Sequence, residues 1–195
     1  SVPDVLGGDT EKQIGAIWAF IERGEGEPEG MATQMTGAFE LIPKEKPIIQ
    51  RTFFEGVGSK AILVGFPAGI HLAYDAERGR PAMVWRGRFF DAYNTWFSRA
   101  APFEKPLGDG VRIFSGKEIS KREFGGYEID ESGNPVFLFR IDGNEYQDHF
   151  VAEKGKLIRT LRWGKGAVPE IAALQGIESE ITRRPNQLTI VYSWK

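Results

Sequence analysis

The sequence contains no cysteine. This absence excludes disulfide bonds, cysteine nucleophiles, thiolate zinc sites and the C-x-x-C-H attachment of a c-type haem within the chain. Long apolar runs are also missing, because no stretch approaches the roughly 20 apolar residues that a membrane-spanning helix needs. The composition therefore predicts a chain with no membrane span and no covalently held haem of its own.

The sequence also has little net charge and few histidines. A formal net charge of −2 gives no general attraction to nucleic acid, so we expect no nucleic-acid partner. The two histidines, His71 and His149, lack the H-x-x-x-H or H-x-E spacing of a dedicated metal site, so no metal is expected. Neither G-x-G-x-x-G nor G-x-S-x-G occurs, which leaves nucleotide binding and serine hydrolysis without support.

The clearest structural pattern lies in residues 69–91. Ile70, Leu72 and Tyr74 alternate with small or polar residues, a period of two that is typical of a strand with two different faces. A turn containing Gly79 follows, and the alternation then resumes. We therefore predict that this segment is a β-hairpin at the centre of a sheet.

Similar short runs recur up to the C-terminus, separated by glycine and proline. The Asp142-Gly143 pair favours a tight hairpin. Residues 88–92 are predicted to form a further strand, and residues 169–174 a short helix because Pro169 suits a first helical turn. The whole pattern predicts a mainly β fold, an antiparallel β-sandwich of roughly a dozen strands with one N-terminal α-helix.

Residues 1–30 differ in character from the rest of the chain. Their apolar residues recur at helical spacing, namely Ile14, Ile17, Trp18 and Ile21. Residues 25–30, EGEPEG, contain no apolar residue and are typical of an acidic linker. We predict two parts, a helix with its linker over residues 1–30 and a β-sandwich domain over residues 36–195.

Side chains able to bind a ligand are concentrated in the hairpin and just after it. The ligand-binding candidates are His71, Trp85, Arg86, Arg88, Asp91, Trp96, Arg99 and Asp109. Trp85 or Trp96 could form a platform for a sugar ring. Asp91 or Asp109 would then supply an acidic partner. No residue is assigned a catalytic role.

Each of these residues could instead have a structural role and bind no ligand. Aromatic side chains bury large areas and belong to the core in most sheets. We expect Arg86, Arg88 and Asp91 to hold the loop of residues 94–109, because an Arg–carboxylate pair can fix a loop without any chemistry. Structural pairing is favoured over catalysis for these charged groups. Any ligand site is expected where this loop meets Trp85.

Four separated segments resemble a known family. They are GSKAILVGFPAGIHLAYDAER (58–78), VWRGRFFDA (84–92), PLGD (106–109) and YEIDESGNPVF (127–137). In this order they resemble an uncharacterised β-rich module of large multidomain bacterial proteins, which also carry a cytochrome c domain and often a sugar-dehydrogenase-like propeller. Residues 3–21 look like the last helix of a class I cytochrome c. The C-x-x-C-H motif and axial methionine that precede that helix in cytochromes are absent from this chain.

The resemblance implies a periplasmic or extracellular protein that takes part in electron transfer. It implies no cofactor in this chain and a haem c in an upstream domain, so the expected partner is a cytochrome c domain or another redox protein. The favoured hypothesis is a non-catalytic binding or docking module of such a protein. Two alternatives remain open, a carbohydrate-binding or carbohydrate-active domain, and non-covalent haem binding through His71 or His149.

Overall fold

The computed structural model describes residues 39–97, 102–116 and 121–194. Within these ranges the chain forms fourteen strands and one short helix. In chain order they are β1 (Glu40–Leu41), β2 (Ile48–Phe54), β3 (Gly58–Gly65), β4 (Ile70–Asp75), β5 (Arg80–Arg86), β6 (Phe90–Asp91), α1 (Tyr93–Phe97), β7 (Asp109–Ser115), β8 (Glu123–Ile129), β9 (Pro135–Ile141), β10 (Asn144–Glu153), β11 (Lys156–Trp163), β12 (Ala173–Leu174), β13 (Glu178–Arg184) and β14 (Gln187–Ser193). The prediction of a mainly β, antiparallel fold is confirmed.

The strands form two six-stranded antiparallel sheets. The first sheet has the order β12-β7-β5-β4-β3-β2, and the second has the order β13-β14-β11-β10-β9-β8. Most neighbouring strands also follow one another in the chain, because short hairpins connect antiparallel partners directly. Asp142 and Gly143 form one of these turns, with positive φ angles of 49° and 77°, as the Asp-Gly pair predicts.

One hydrophobic core is shared by the two sheets. Alternate residues of β3, β4 and β5 contribute to it from the first sheet, and alternate residues of β9, β10, β11 and β14 from the second. The rings of Tyr74 and Phe137 stack across this core with centroids 3.8 Å apart. Phe114 and Tyr192 make an edge contact at 5.7 Å. The period of two places the other residues of these strands on the outer faces.

The first sheet is also covered on its outer face. A second cluster of buried residues there combines Leu63, Ala73 and Trp85 with Phe89 and Phe90 of the segment that follows β5. Strand β6 pairs with β1 and stands apart from both large sheets. All six residues of β4 are consequently buried, and the predicted position of the hairpin at the centre of a sheet is confirmed.

The structure differs from two local predictions and does not describe the segment of a third. The strand predicted over residues 88–92 is shorter, since only Phe90–Asp91 is extended and its partner is β1. The helix predicted over residues 169–174 is wrong, because Ala173–Leu174 forms β12 and pairs with β7. Burial of Leu174 in the shared core and two ladder contacts outweigh the local helical preference of this segment. The predicted N-terminal helix and acidic linker lie outside the described residues.

Candidate functional site

Trp85 belongs to the core of the protein. Its side chain is fully buried, and its Nε1 donates hydrogen bonds to the carbonyl oxygens of Arg88 at 3.1 Å and Phe89 at 2.9 Å. Its ring stacks on Phe54, with centroids 5.4 Å apart. A sugar platform needs an exposed ring face. The prediction that a ligand site lies at Trp85 is therefore corrected: the segment after β5 covers this tryptophan completely.

His71 is buried beside Trp85. Its Nε2 lies 2.8 Å from the carbonyl oxygen of Gly87, and its ring sits 5.0 Å from that of Phe89. Burial lowers the pKa of His71, and the hydrogen bond to Gly87 opposes that effect only in part. The neutral imidazole therefore serves the packing between β4 and the segment that follows β5. Binding of a haem iron by this ring would require the core to open.

The predicted loop-holding residues make other contacts. Arg88 forms an ion pair with Glu40, its Nη2 lying 2.7 Å from a carboxylate oxygen, and so joins β1 to the segment after β5. Asp91 accepts a hydrogen bond from the backbone N–H of Tyr93 at 2.8 Å and satisfies the first N–H of α1. Arg86 meets the loop through its backbone, which pairs with Asp109. Arg99 lies outside the described residues.

Glu104 holds the loop of residues 94–109, a role that the sequence did not reveal. This residue is only 6% exposed, and its carboxylate accepts hydrogen bonds from the backbone N–H of Thr95 at 2.8 Å and from the Thr95 hydroxyl at 3.2 Å. Its own backbone bonds to Phe53 and Glu55 of the first sheet. The loop is thereby tied both to α1 and to β2. A single glutamate between Phe103 and Lys105 offers no pattern by which this role could be predicted.

We predict that Glu104 makes the stability of the protein depend on pH. Burial raises the pKa of Glu104, although hydrogen bonds from Thr95 and Asn94 oppose the rise. The folded protein therefore holds this proton more tightly than the unfolded chain does. The resulting stabilisation is complete below the ordinary pKa of glutamate and is lost as the pH rises through the raised pKa. Glu104→Gln, which keeps an oxygen acceptor for Thr95, is expected to remove this component.

Urea unfolding of the native protein and of Glu104→Gln between about pH 4 and pH 8 measures how Glu104 makes stability depend on pH. The difference in free energy of unfolding between them should change across this range. Glu104→Ala supplies the control, because it removes the acceptor and is expected to lose about 1–2 kcal/mol even at the neutral end of the range. An identical pH profile for the native protein and Glu104→Gln would contradict the prediction.

Trp96 is the predicted platform residue that does reach the surface. It lies in α1 and is 40% exposed, while one edge of its ring packs against Phe39 at 6.1 Å. Its neighbour Phe97 is 47% exposed and contacts the same Phe39 at 4.9 Å. Asp109 is also exposed. Trp96 is the one tryptophan of the two candidates that could contact a ligand.

A pocket lies elsewhere, on the outer face of the second sheet. It encloses about 500 Å³, and none of the residues selected from the sequence lines it. The outward-facing residues that line it come from β8 to β11 and are Glu128, Leu138, Arg140, Glu145, Gln147 and Arg162. Phe139, Tyr146 and Trp163 line it as well. We call this pocket the sheet-face trough. Two glycines, Gly125 and Gly164, also line it and leave room that side chains would fill.

Most polar groups of the sheet-face trough stand in two adjacent rows across the strands, and Glu128 stands in the row beyond them, opposite Val136. Arg140 is directly opposite Glu145, and its Nη2 lies 3.1 Å from that carboxylate. In the next row Gln147 is opposite both Leu138 and Arg162, and Arg162 donates from Nε to Gln187 at 3.3 Å. The rows are firmly placed because Phe139, Tyr146 and Leu161, which alternate with these residues, are buried in the shared core.

An irregularity in β8 shapes one wall of the sheet-face trough. The register between β8 and β9 shifts between Phe124 and Gly126, and Gly126 has a φ of 116°, a conformation that side chains disfavour. A bulge of this kind bends the strand away from its partner. Two glycines inside a strand pattern are the signal by which the sequence could have indicated this bend.

A buried ion pair lies beneath the sheet-face trough. Arg159 of β11 donates from Nε and Nη2 to the two carboxylate oxygens of Asp148 in β10, both at 2.7 Å. The two side chains are 1% and 0% exposed. They point inward because they alternate with Gln147 and Thr160 of the outer face. The pair therefore belongs to the core and offers no surface to a ligand.

His149 lies on the outer face of the second sheet. Its Nε2 lies 2.9 Å from a carboxylate oxygen of Asp130, which also accepts hydrogen bonds from the turn before β9. Together these contacts fix the turn between β8 and β9. Among the described residues no group of three His, Asp or Glu side chains is arranged to hold a metal ion.

Comparisons with known proteins found no relative of this chain. Neither a protein-family model, nor a curated protein, nor a solved structure matches the chain. Within residues 39–97, 102–116 and 121–194, no helix has the length and apolar character needed to cross a membrane.

Proposed function

We propose that this chain is a non-catalytic binding module of a periplasmic, cytochrome c-linked redox protein, and that its two sheets form a β-sandwich. The observation that carries the binding role is the sheet-face trough. It combines a volume of about 500 Å³ with polar side chains on strands whose inner residues are tightly packed. Pockets of about 300–1,000 Å³ are usual for small ligands, and rigid strands limit the entropy that binding costs.

The environment of the ionisable groups supports a non-catalytic role. Glu145 in the trough is paired with Arg140, and His71 is inside the core. His149 is engaged by Asp130. General acid–base catalysis needs such a group within hydrogen-bond reach of a reacting atom, with a pKa tuned to the task. The described residues therefore favour recognition of a ligand over its conversion.

The cytochrome-linked context comes from the family resemblance of the sequence. Its test is the mass and haem content of the protein isolated from its native source. We expect a longer polypeptide that contains this chain and shows the absorption of a c-type haem. A native polypeptide without haem, and without a haem-containing partner, would contradict this part of the proposal.

The binding role is tested by a fragment screen with the full 195-residue chain, observed through the NMR signals of arginine and glutamine side chains. We expect some fragments to shift the signals of Arg140, Gln147 and Arg162. Gln147→Trp should abolish these shifts because a bulky ring would fill the trough. Thr189→Trp, on the same outer face but outside the trough, is the matched control and should preserve them. Shifts confined to other parts of the surface would overturn the proposal.

A further inference from the structure

The charge of the sheet-face trough is balanced. Arg140 and Arg162 contribute two positive charges to its lining, and Glu128 and Glu145 contribute two negative ones. A phosphate or another compact anion would lie close to two carboxylates. A cation would lie close to two guanidinium groups. Like charges brought together across a contact are unfavourable, so the trough best suits a ligand without net charge.

We propose that the sheet-face trough binds a neutral saccharide, whose hydroxyl groups are recognised by Arg140, Glu145, Gln147 and Arg162. This inference rests on the proposed function, because it names the ligand class for the same trough. Guanidinium, carboxylate and carboxamide groups are planar, and together they offer both donors and acceptors. A sugar hydroxyl is itself both a donor and an acceptor. A mixed set of this kind therefore suits a polyol better than a ligand with only one type of group.

The spacing of the rows also fits a sugar ring. Neighbouring strands lie about 4.8 Å apart, and residues on the same face of one strand lie about 6.7 Å apart. Gln147 occupies the middle of its row, between Leu138 and Arg162, and its exposed amide has no hydrogen-bond partner within the part of the chain that the structure describes. This amide is free to bind a hydroxyl, while the half-buried Leu138 offers an apolar surface to the C–H face of a ring.

One end of the trough favours an extended ligand. Gly164 stands there, and a Cβ added to it would meet no heavy atom of the described residues within 4 Å. At the bulge, by contrast, a Cβ added to Gly125 would meet the backbone oxygen of Leu138 at 3.4 Å. An oligosaccharide chain could therefore continue past the end at Gly164.

The pairing within the rows reduces the cost of binding. Arg140 is held by Glu145 and Arg162 by Gln187, so two flexible side chains are oriented before a ligand arrives. The exposed Arg140–Glu145 ion pair contributes little to stability. Both contacts restrict arginine side chains that line the trough, and this preorganisation lowers the entropy that binding costs.

The test is titration of the full chain with maltotriose, cellotriose and xylotriose, followed by calorimetry and by the NMR signals of arginine and glutamine side chains. Sialyllactose and a glucosamine disaccharide serve as the anionic and cationic comparators. We expect at least one neutral trisaccharide to bind more tightly than either charged sugar. Its affinity should change less than about twofold between roughly 0.05 and 0.5 M salt, because screening acts only weakly on an uncharged ligand.

Two substitutions connect the affinity to the trough. Gln147→Ala is expected to weaken binding of the trisaccharide about tenfold by removing hydrogen bonds to hydroxyls. Thr160→Ala, on the same outer face but outside the trough, should leave the affinity unchanged. Equal affinities for the native chain and Gln147→Ala would overturn the assignment.

The outcomes separate this inference from the proposed function. If charged fragments bind in the trough with a steep dependence on salt and every neutral sugar fails, the saccharide assignment is wrong and the binding role stands. If no probe of any class shifts the signals of the trough, both proposals fail. Binding of a neutral sugar, detected by calorimetry, that leaves the arginine and glutamine signals of the trough unchanged would place the site elsewhere and would also contradict the assignment.

Discussion

Replacing Asp148 by alanine is expected to lower the free energy of unfolding by about 3–5 kcal/mol, because it would leave the buried charge of Arg159 without a partner. Two hydrogen bonds of 2.7 Å join these side chains in the core. Burial alone would lower the pKa of Arg159, but the Asp148 carboxylate holds it above its ordinary value. The arginine therefore stays charged, and the loss should be similar at every pH near neutrality. Urea unfolding followed by circular dichroism measures it.

A double variant tests whether the unpaired charge of Arg159 causes the loss of stability. A conservative variant tests the contribution of a neighbouring hydroxyl group. Asp148→Leu combined with Arg159→Met should regain most of the lost stability, since replacing a buried pair by apolar residues is often neutral or favourable. The buried hydroxyl of Tyr192 interacts with the Arg159 guanidinium without a hydrogen bond of good geometry among the described residues. Tyr192→Phe should accordingly change stability by less than about 1 kcal/mol. A loss below about 1 kcal/mol for Asp148→Ala would show that water reaches the pair.

Trp85→Ala is expected to cost about 3–5 kcal/mol through the cavity that it leaves in the outer cluster of the first sheet. The side chain is fully buried, and Phe54 and Phe89 both stack against it. Two backbone carbonyls would also lose the indole N–H as a donor. Thermal unfolding by calorimetry measures the effect as a lower transition temperature.

Trp96→Ala is the matched control for Trp85→Ala. Trp96 is 40% exposed, so its loss should cost less than about 1 kcal/mol. Trp85→Phe should fold and should bind any ligand of the sheet-face trough as the native chain does. A variant of Trp85 with unchanged stability and lost sugar binding would restore the platform that the sequence suggested and would refute the core assignment.

The strands were predictable because their signal is local. The alternation of Ile70, Leu72 and Tyr74 is found in strand β4, Ile70–Asp75. The Asp142-Gly143 turn was equally predictable, since positive φ is a property of the turn residues themselves. The helix predicted at residues 169–174 failed because Leu174 gains a place in the shared core, a contact between segments far apart in the chain.

For the candidate site, too, local patterns were visible in the sequence, whereas contacts between distant segments were not. Sequence reasoning concentrated on residues 69–109, where reactive side chains lie close together along the chain. The fold buries His71 and Trp85, and it pairs Arg88 with Glu40, 48 positions away. It assembles the sheet-face trough from four strands that looked ordinary in the sequence. Only the Gly125-Gly126 pair within β8 indicated that something unusual happens there.

The sequence by itself determined most of the segments that are strands, where many of their turns lie, and the absence of a C-x-x-C-H motif. These are properties of neighbouring residues and of composition. The tertiary structure decided which face of each strand is buried and which side chains meet, because both depend on the pairing of distant segments. For that reason strand β4 of the hairpin became part of the interior, and the trough lies on the sheet whose outer-face residues are exposed or half-buried within the described ranges.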